Sequence, residues 1–135
     1  MHNTDAARTL AVKYAQLIDD RQFEHFREIM TRDFSQQGPG ISSNSIEEFI
    51  ASLSLLDNYS ATFHLVGNQL GEWHNNIYTG ETWSVATHIH SLDGVQHKLD
   101  MGIRYQDVIE NFSGTCKYLS RDLNIIWTQD LPIQG

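Results

Sequence analysis

The sequence of 135 residues is poor in cysteine and in basic side chains. Cys116 is the only cysteine, so the chain cannot form an internal disulfide or a cysteine-based metal site, and this usage fits a reducing compartment. Lysine and arginine together number 9 against 17 acidic residues, which gives a formal net charge of −8. Because nucleic-acid binding needs clustered positive charge, this composition argues against a nucleic-acid partner and favours a neutral ligand.

The sequence also lacks long apolar segments. No run approaches the ~20 apolar residues that a membrane-spanning helix requires, so we expect no membrane partner. The first residues, MHNTDAARTLAVKYAQ, contain no basic stretch followed by an apolar run, so no signal peptide is expected and the protein is expected to be cytoplasmic. With 40% hydrophobic residues and no linker or repeat, residues 1–135 are expected to form a single domain.

The first sixty residues have helical patterns. The segment NTDAARTLAVKYAQLIDD has no glycine or proline, and Asn3 or Thr4 is a candidate N-cap. A second short helix is predicted in RQFEHFREIM, and a third begins in SNSIEEFIASLSLL with a capping-box pattern at Ser45 and Glu48. The apolar residues of the first helix recur at helical spacing and form one face: Leu10, Tyr14, Leu17 and Ile18.

From Ser60 onward the pattern is that of strands. Alternation in ATFHLVGNQ places His64 and Asn68 on one face, and alternation in YTGETWSVATHIHSL places His88 and His90 together. An Asp-Gly pair in SLDGVQ predicts a hairpin to HKLDMGIRYQDVIE, and NFSG predicts a turn before TCKYLSRDLNIIW. Long antiparallel strands after about three helices predict an α+β fold with a helix layer on one face of the sheet.

This order of segments resembles the SnoaL-like family of the nuclear-transport-factor-2-like superfamily. The resemblance rests on the N-terminal helices, on TFHLVGNQ, on a long hairpin that carries histidine, on the pattern of Gly102, Tyr105 and Asp107, and on SRDLNIIW. It implies a cone-shaped, curved, mixed but mostly antiparallel sheet, wrapped around the helices to form a pocket. Within the family, the pattern is most similar to that of the scytalone dehydratases.

Three polar residues match the dehydratase pattern in order and spacing. Asp19 stands four residues before Phe23 at the turn between the first two helices, His64 lies in T-x-H-x-x-G, and His88 lies on the next long strand. The resemblance implies that His64 is the catalytic base and that His88 donates or shuttles a proton. Asp19 is expected to orient a histidine. By analogy with the dehydratase this is His88, whereas the pattern of the related hexachlorocyclohexane dehydrochlorinases would pair Asp19 with His64.

The chemistry of these residue types supports such a set. Imidazole titrates near neutral pH and can accept a proton, and a carboxylate on its other nitrogen fixes the tautomer. Proton removal beside a carbonyl, followed by loss of hydroxide or halide or by double-bond migration, also needs a donor for the developing oxyanion. Ile18 stands where the dehydratase has tyrosine, so we expect the substrate-binding hydroxyl from Tyr14, Tyr105 or Tyr118, with Asn68 as a further pocket residue.

The H-x-H pattern of His88 and His90 raises the alternative of a metal site, with Asp93 or His97 as further ligands. No further carboxylate stands at a characteristic spacing, so we expect neither a metal nor a cofactor. His90 is instead expected at the rim of the hairpin, and His97 is expected to be exposed.

These patterns together predict a small cofactor-independent lyase or isomerase that acts on a neutral, mostly apolar small molecule. Two alternatives stay open: a non-catalytic module that binds a small molecule, and an assembly role similar to that of the small subunit of aromatic-ring dioxygenases. Phe63, Trp83 and Trp127 are expected in the core together with Phe26, Phe34 and Phe49. Because the outer face of a long sheet usually needs covering, we expect a homodimer or homotrimer.

Overall fold

The computed structural model describes residues 5–134, so the candidate N-caps Asn3 and Thr4 lie outside the described residues. Helices come first and long strands follow, as the sequence predicts. No helix in residues 5–134 is long and apolar enough to cross a membrane. The elements are α1 (Ala6–Asp19), a 3₁₀ helix (Phe23–Glu28), β1 (Met30–Gly38), β2 (Ile41–Ser43), α2 (Ile46–Ser52), a second 3₁₀ helix (Leu53–Asn58), β3 (Ala61–His74), β4 (Ile77–Leu92), β5 (Val95–Phe112) and β6 (Thr115–Pro132).

The six strands form one mixed sheet in the order β2-β1-β6-β5-β4-β3. Strands β3 to β6 follow one another as antiparallel neighbours, while β1 pairs with β6 in parallel. The predicted α+β fold with a mixed sheet is confirmed. Strand β1 itself was not predicted, because its register shifts between Met30 and Ser35 and the alternation of buried residues is broken there.

The two predicted turns close hairpins between long strands. Asp93 and Gly94 have φ angles of 52° and 80°, and Ser113 and Gly114 have φ angles of 55° and 102°. Consecutive positive φ angles are typical of the two-residue turns that match the twist of antiparallel strands. These turns therefore set the pairing of β4 with β5 and of β5 with β6.

The core lies between α1 and α2 and the face of the sheet that they cover, called here the inner face. The predicted apolar stripe of α1 is buried, with Leu17 fully enclosed. At the start of α2 the hydroxyl of Ser45 accepts a 3.1 Å hydrogen bond from the amide of Glu48, as the capping pattern predicts. Phe26, Phe34 and Phe49 pack together in this core.

The opposite, outer face of the sheet carries exposed apolar side chains. The side chains of Phe63, Trp83 and Trp127 were predicted in the core, but 36% to 65% of their surface is exposed. The prediction was wrong because the helices cover only the inner face of the sheet, and the alternation of side chains along each strand directs these three side chains to the outer face. Leu65, Trp83, Ile126 and Trp127 line a groove of about 420 Å³ on this face.

Candidate active site

The carboxylate of Asp19, at the end of α1, reaches strand β3 and holds His64. Its Oδ1 lies 2.8 Å from Nδ1 of the His64 ring, and its Oδ2 accepts a 2.9 Å hydrogen bond from the His64 backbone amide. The hydroxyl of Thr62 donates a third hydrogen bond of 2.9 Å to Oδ1. Because an ionised carboxylate only accepts hydrogen bonds, the ring proton of His64 lies on Nδ1 and its Nε2 lone pair is left free.

The end of α1 is built to present Asp19 to β3. Arg21 follows with a φ of 57°, a left-handed conformation that ends the helix, and the amide of Gln22 bonds back to the carbonyl of Leu17 at 2.9 Å. Nη1 of Arg21 donates to the carbonyl of Ile18 and to the hydroxyl of Thr62, both at 2.9 Å. Since the Thr62 oxygen accepts from Arg21, its own proton is directed to Asp19.

Asp19 and His64 are shielded from solvent to different degrees. The side chain of His64 is 6% exposed and that of Asp19 is 22% exposed. Burial alone raises the pKa of Asp19, but the hydrogen bonds that it accepts from the His64 ring, the His64 backbone and Thr62 outweigh this effect and hold the pKa below its ordinary value. Asp19 is therefore ionised at neutral pH and can stabilise an imidazolium at His64.

His88 lies on β4 beside this pair. Its ring centroid is 6.4 Å from that of His64, and the Tyr59 ring covers it at 5.0 Å. Burial lowers the pKa of His88, and the positive charge of Arg21 acts in the same direction. Nδ1 of the neutral ring donates to a backbone carbonyl, that of Leu99, at 3.3 Å.

The three residues that the dehydratase pattern selects thus lie together, but not with the expected pairing. Asp19 bonds to His64 and not to His88, so the pairing expected by analogy with the dehydratase is wrong and the alternative pairing is observed. The reason lies in the topology: β3 is the edge strand against which the end of α1 packs, and β4 is one strand further away.

The three tyrosines expected to bind substrate surround a buried arginine. The Arg121 guanidinium lies 4.4 Å from the ring centroid of Tyr14, 3.8 Å from that of Tyr105 and 5.1 Å from that of Tyr118. Nε of Arg121 donates a 2.8 Å hydrogen bond to Asp107, its cross-strand partner, and both side chains are at most 1% exposed. Arg121 is thereby neutralised by Asp107 and enclosed by aromatic faces.

Burial raises the pKa of each of the three tyrosines, so their hydroxyls are neutral hydrogen-bond donors. Gln36 donates to the Tyr14 hydroxyl at 3.1 Å, whereas the buried Tyr118 hydroxyl has no hydrogen-bond partner in residues 5–134. Within the same residues, no hydrogen bond or ring contact joins this cluster to His64 or His88. The tyrosines and the histidines are two separate polar centres inside the fold.

The sequence patterns did not single out the pair of Asp107 and Arg121 as a centre of its own. A signal was present for Asp107, because it stands between Tyr105 and Ile109 on the buried, alternating face of β5. No comparable signal identified Arg121, because β6 shifts its register against β5 twice and its alternation is irregular.

Asn68 lies away from both centres. The register of β3 shifts between Val66 and Gln69, so Asn68 is exposed and lines the outer groove, while Gln69 turns inward. Nε2 of Gln69 donates to the hydroxyl of Thr82 at 2.9 Å. The prediction that Asn68 shares a face with His64 is wrong, because a bulge reverses the alternation between them.

Comparison with known proteins identifies the family of the chain. The model of the SnoaL-like domain matches residues 1–121. The chain belongs to the SnoaL-like domain family. A search of curated protein sequences gives no significant match.

Solved structures that resemble this SnoaL-like chain include a proposed dehydratase, a dehydrochlorinase and the β subunit of a proposed dioxygenase. A proposed scytalone dehydratase of Novosphingobium aromaticivorans has a TM-score of 0.82 at 15% identity, covering 96% of this chain and 88% of its own. A type 2 hexachlorocyclohexane dehydrochlorinase has the same TM-score and coverage at 17% identity. The β subunit of a proposed aromatic-ring-hydroxylating dioxygenase, also of N. aromaticivorans, has a TM-score of 0.75 at 17% identity, covering 90% and 87%. At these identities the likeness establishes the fold.

Proposed function

We propose that this SnoaL-like protein is a small cofactor-independent lyase or isomerase in which His64 removes a proton from a neutral, mostly apolar substrate. The observation that carries the proposal is the bond between Asp19 and Nδ1 of His64, which leaves Nε2 as the acceptor. The structural likeness to a proposed dehydratase and to a dehydrochlorinase supports this class of reaction. The net charge of −8 favours a substrate that carries no negative charge.

The proposed reaction begins with a C–H bond made acidic by a neighbouring carbonyl. Nε2 of His64 takes the proton, and the imidazolium that forms is stabilised by Asp19 at 2.8 Å. The electron pair moves into the carbonyl, and the developing oxyanion requires a neutral donor.

His88 is the second proton-handling group of the proposal. When the leaving group is hydroxide, the proton taken from carbon must return to that oxygen, so that water is lost and the protein is restored. His88 is neutral at rest, and its lowered pKa makes its protonated form a better proton donor than an ordinary imidazolium. It lies 6.4 Å from His64, ring to ring, which suits a relay through the substrate or one water.

Exchange of hydrogen for deuterium tests the proposal without knowledge of the natural substrate. A panel of cyclic and aryl ketones is incubated in D₂O, and deuterium at the carbon beside the carbonyl is measured by NMR. His64→Gln is expected to lower the exchange rate at least about 10²-fold. His74→Gln is the matched control, because His74 also bonds to a carboxylate but is exposed. Equal exchange by the wild type and by His64→Gln contradicts the proposal.

A second candidate function is supported by the outer face. An exposed apolar groove lined by Trp83, Ile126 and Trp127 fits a surface that assembles with another chain. The structural likeness to a dioxygenase β subunit points in the same direction. We propose that a second copy of this chain covers the groove in a homodimer or homotrimer, which is compatible with either a catalytic or a binding role inside each subunit.

A further inference from the structure

A second cluster of histidines lies where β4 ends, β5 begins and β6 ends. Nε2 of His90 and Nδ1 of His97 each lie 2.8 Å from one carboxylate oxygen of Asp130. The two imidazole rings are 5.4 Å apart, centroid to centroid. One carboxylate therefore holds two imidazoles with one oxygen for each.

The register of the sheet fixes this arrangement. His90 and His97 are direct cross-strand partners near the Asp93–Gly94 turn, and Asp130 is the partner of Leu99 on the adjoining strand. Side chains at positions 97 and 99 of β5 point to the same face, so Asp130 lies beside both rings. The cluster depends on pairing across three long strands, which the spacing along the sequence does not reveal.

The donor atoms match the preference of a divalent transition metal. The two ring nitrogens and the carboxylate oxygen all lie within 4.8 Å of one another. Zinc binds imidazole nitrogen and carboxylate oxygen at about 2.0–2.2 Å in tetrahedral geometry, which places ligand atoms roughly 3.3 Å apart. Small rotations of the side chains therefore bring the three atoms to one ion, and the fourth position is left for water.

Access and charge also suit a cation. The Asp130 side chain is 41% exposed, while those of His90 and His97 are 21% and 16% exposed, so the ligands are partly shielded but open on one side. The net charge of −8 raises the local concentration of cations. The exposed histidines His25 and His74 differ from this pair, because each bonds to a carboxylate that holds no second histidine.

We propose that His90, His97 and Asp130 bind one Zn²⁺ ion, which cross-links β4, β5 and β6 near their ends. The sequence pattern raised His88 and His90 as metal ligands, with Asp93 or His97 as further ones. The structure joins His90 to His97 through Asp130 and leaves His88 bonded to the Leu99 carbonyl. This proposal is independent of catalysis by His64. The ring of Tyr59 contacts both His88 and His90, so it packs between the proposed metal site and the candidate active site.

Calorimetric titration of the full chain with Zn²⁺, after treatment with a chelator, tests the site. One Zn²⁺ per chain is expected, and Co²⁺ in its place is expected to give the visible absorption of a tetrahedral complex. His90→Gln and His97→Asn retain an N–H donor toward Asp130 but lack the imidazole nitrogen that Zn²⁺ prefers, and each is expected to weaken Zn²⁺ binding at least tenfold. Asp130→Asn keeps the size of the side chain and is expected to have the same effect.

Two controls separate this site from others in the chain. His25→Asn removes a histidine–carboxylate pair that lacks a second histidine, and it is expected to leave Zn²⁺ affinity within about twofold of the wild type. His64→Gln is expected to leave it equally unchanged. No saturable binding by the wild type, full affinity in Asp130→Asn, or loss of binding in His64→Gln overturns the proposal. Circular dichroism checks that each variant is folded.

Discussion

The carboxylate of Asp19 holds both the ring and the backbone of His64, with Oδ1 2.8 Å from Nδ1 and Oδ2 2.9 Å from the backbone nitrogen. A base fixed at two points has little freedom to turn away from a substrate. The geometry for proton removal is therefore set before any ligand binds, which is the condition under which proximity lowers a barrier.

Replacement of Asp19 tests whether its charge matters for turnover. Asp19→Asn keeps the size of the side chain but permits the wrong His64 tautomer, so we expect turnover to fall by about 10²–10⁴-fold. Asp20→Asn is the matched control, because the exposed Asp20 carboxylate accepts a 2.7 Å hydrogen bond from Gln16 and makes no bond to either histidine among residues 5–134. This variant is expected to stay within about twofold of the wild type. Similar rates for Asp19→Asn and the wild type, measured by deuterium exchange, contradict the assignment.

His88 is expected to make stability depend on pH. Burial lowers its pKa, so below about pH 6.5, the ordinary value, the unfolded chain binds a proton that the folded protein does not. The free energy of unfolding therefore falls as pH drops through this range. His88→Asn can still donate a hydrogen bond to the Leu99 carbonyl. In this variant the free energy of unfolding, measured by urea titration at several pH values between 8 and 5, is expected to depend less steeply on pH. If the free energy of unfolding depends on pH as steeply in His88→Asn as in the wild type, His88 is not the group that causes this dependence.

Loss of the buried pair of Asp107 and Arg121 is expected to lower the free energy of unfolding more than loss of a surface ion pair. Arg121→Met leaves the Asp107 charge without its partner, which is expected to cost about 3–5 kcal/mol in the free energy of unfolding. Arg104→Met removes an exposed pair with Glu81 and is expected to cost less than about 1 kcal/mol. Combining Arg121→Met with Asp107→Leu is expected to recover part of the loss, and urea titration measures all three. Equal costs for the two single variants are inconsistent with this ranking.

The outer groove is expected to be an interface between copies of this chain. Ile126 is 54% exposed and lines the groove, so Ile126→Glu is expected to shift a dimer or trimer to monomer in sedimentation experiments. Val12→Glu, at an exposed position on α1, introduces the same charge elsewhere and is expected to leave the assembly intact. A wild-type protein that sediments as a monomer argues against homo-oligomer formation.

Much of the fold could be predicted because its signals are local. The helical spacing of Leu10, Tyr14 and Leu17 and the turns at Asp93–Gly94 and Ser113–Gly114 each depend on a few adjacent residues. The family resemblance added the sheet and brought Asp19 and the two histidines into one site. These features required no knowledge of which strands are neighbours.

The remaining features depend on register and on which face is covered. Asn68 lies on the outer face because β3 has a bulge after Val66. Gly67 stands in that bulge, and a glycine inside a strand is a signal for one, but simple alternation ignores it. The partner of Asp19 was misassigned because the choice depends on which strand the end of α1 meets. The sequence pattern named His90 and His97 among possible metal ligands, but it did not name Asp130, whose place beside them depends on the pairing of three strands.

The central claim is that Asp19 leaves Nε2 of His64 free to accept a proton. Nitrogen-15 NMR of the histidine rings at about pH 8 tests it most directly, because it distinguishes the two neutral tautomers. The account predicts that His64 carries its proton on Nδ1 in the wild type and loses this preference in Asp19→Asn. A proton on Nε2 of His64 in the wild-type protein would contradict it, because that nitrogen could then not act as the base.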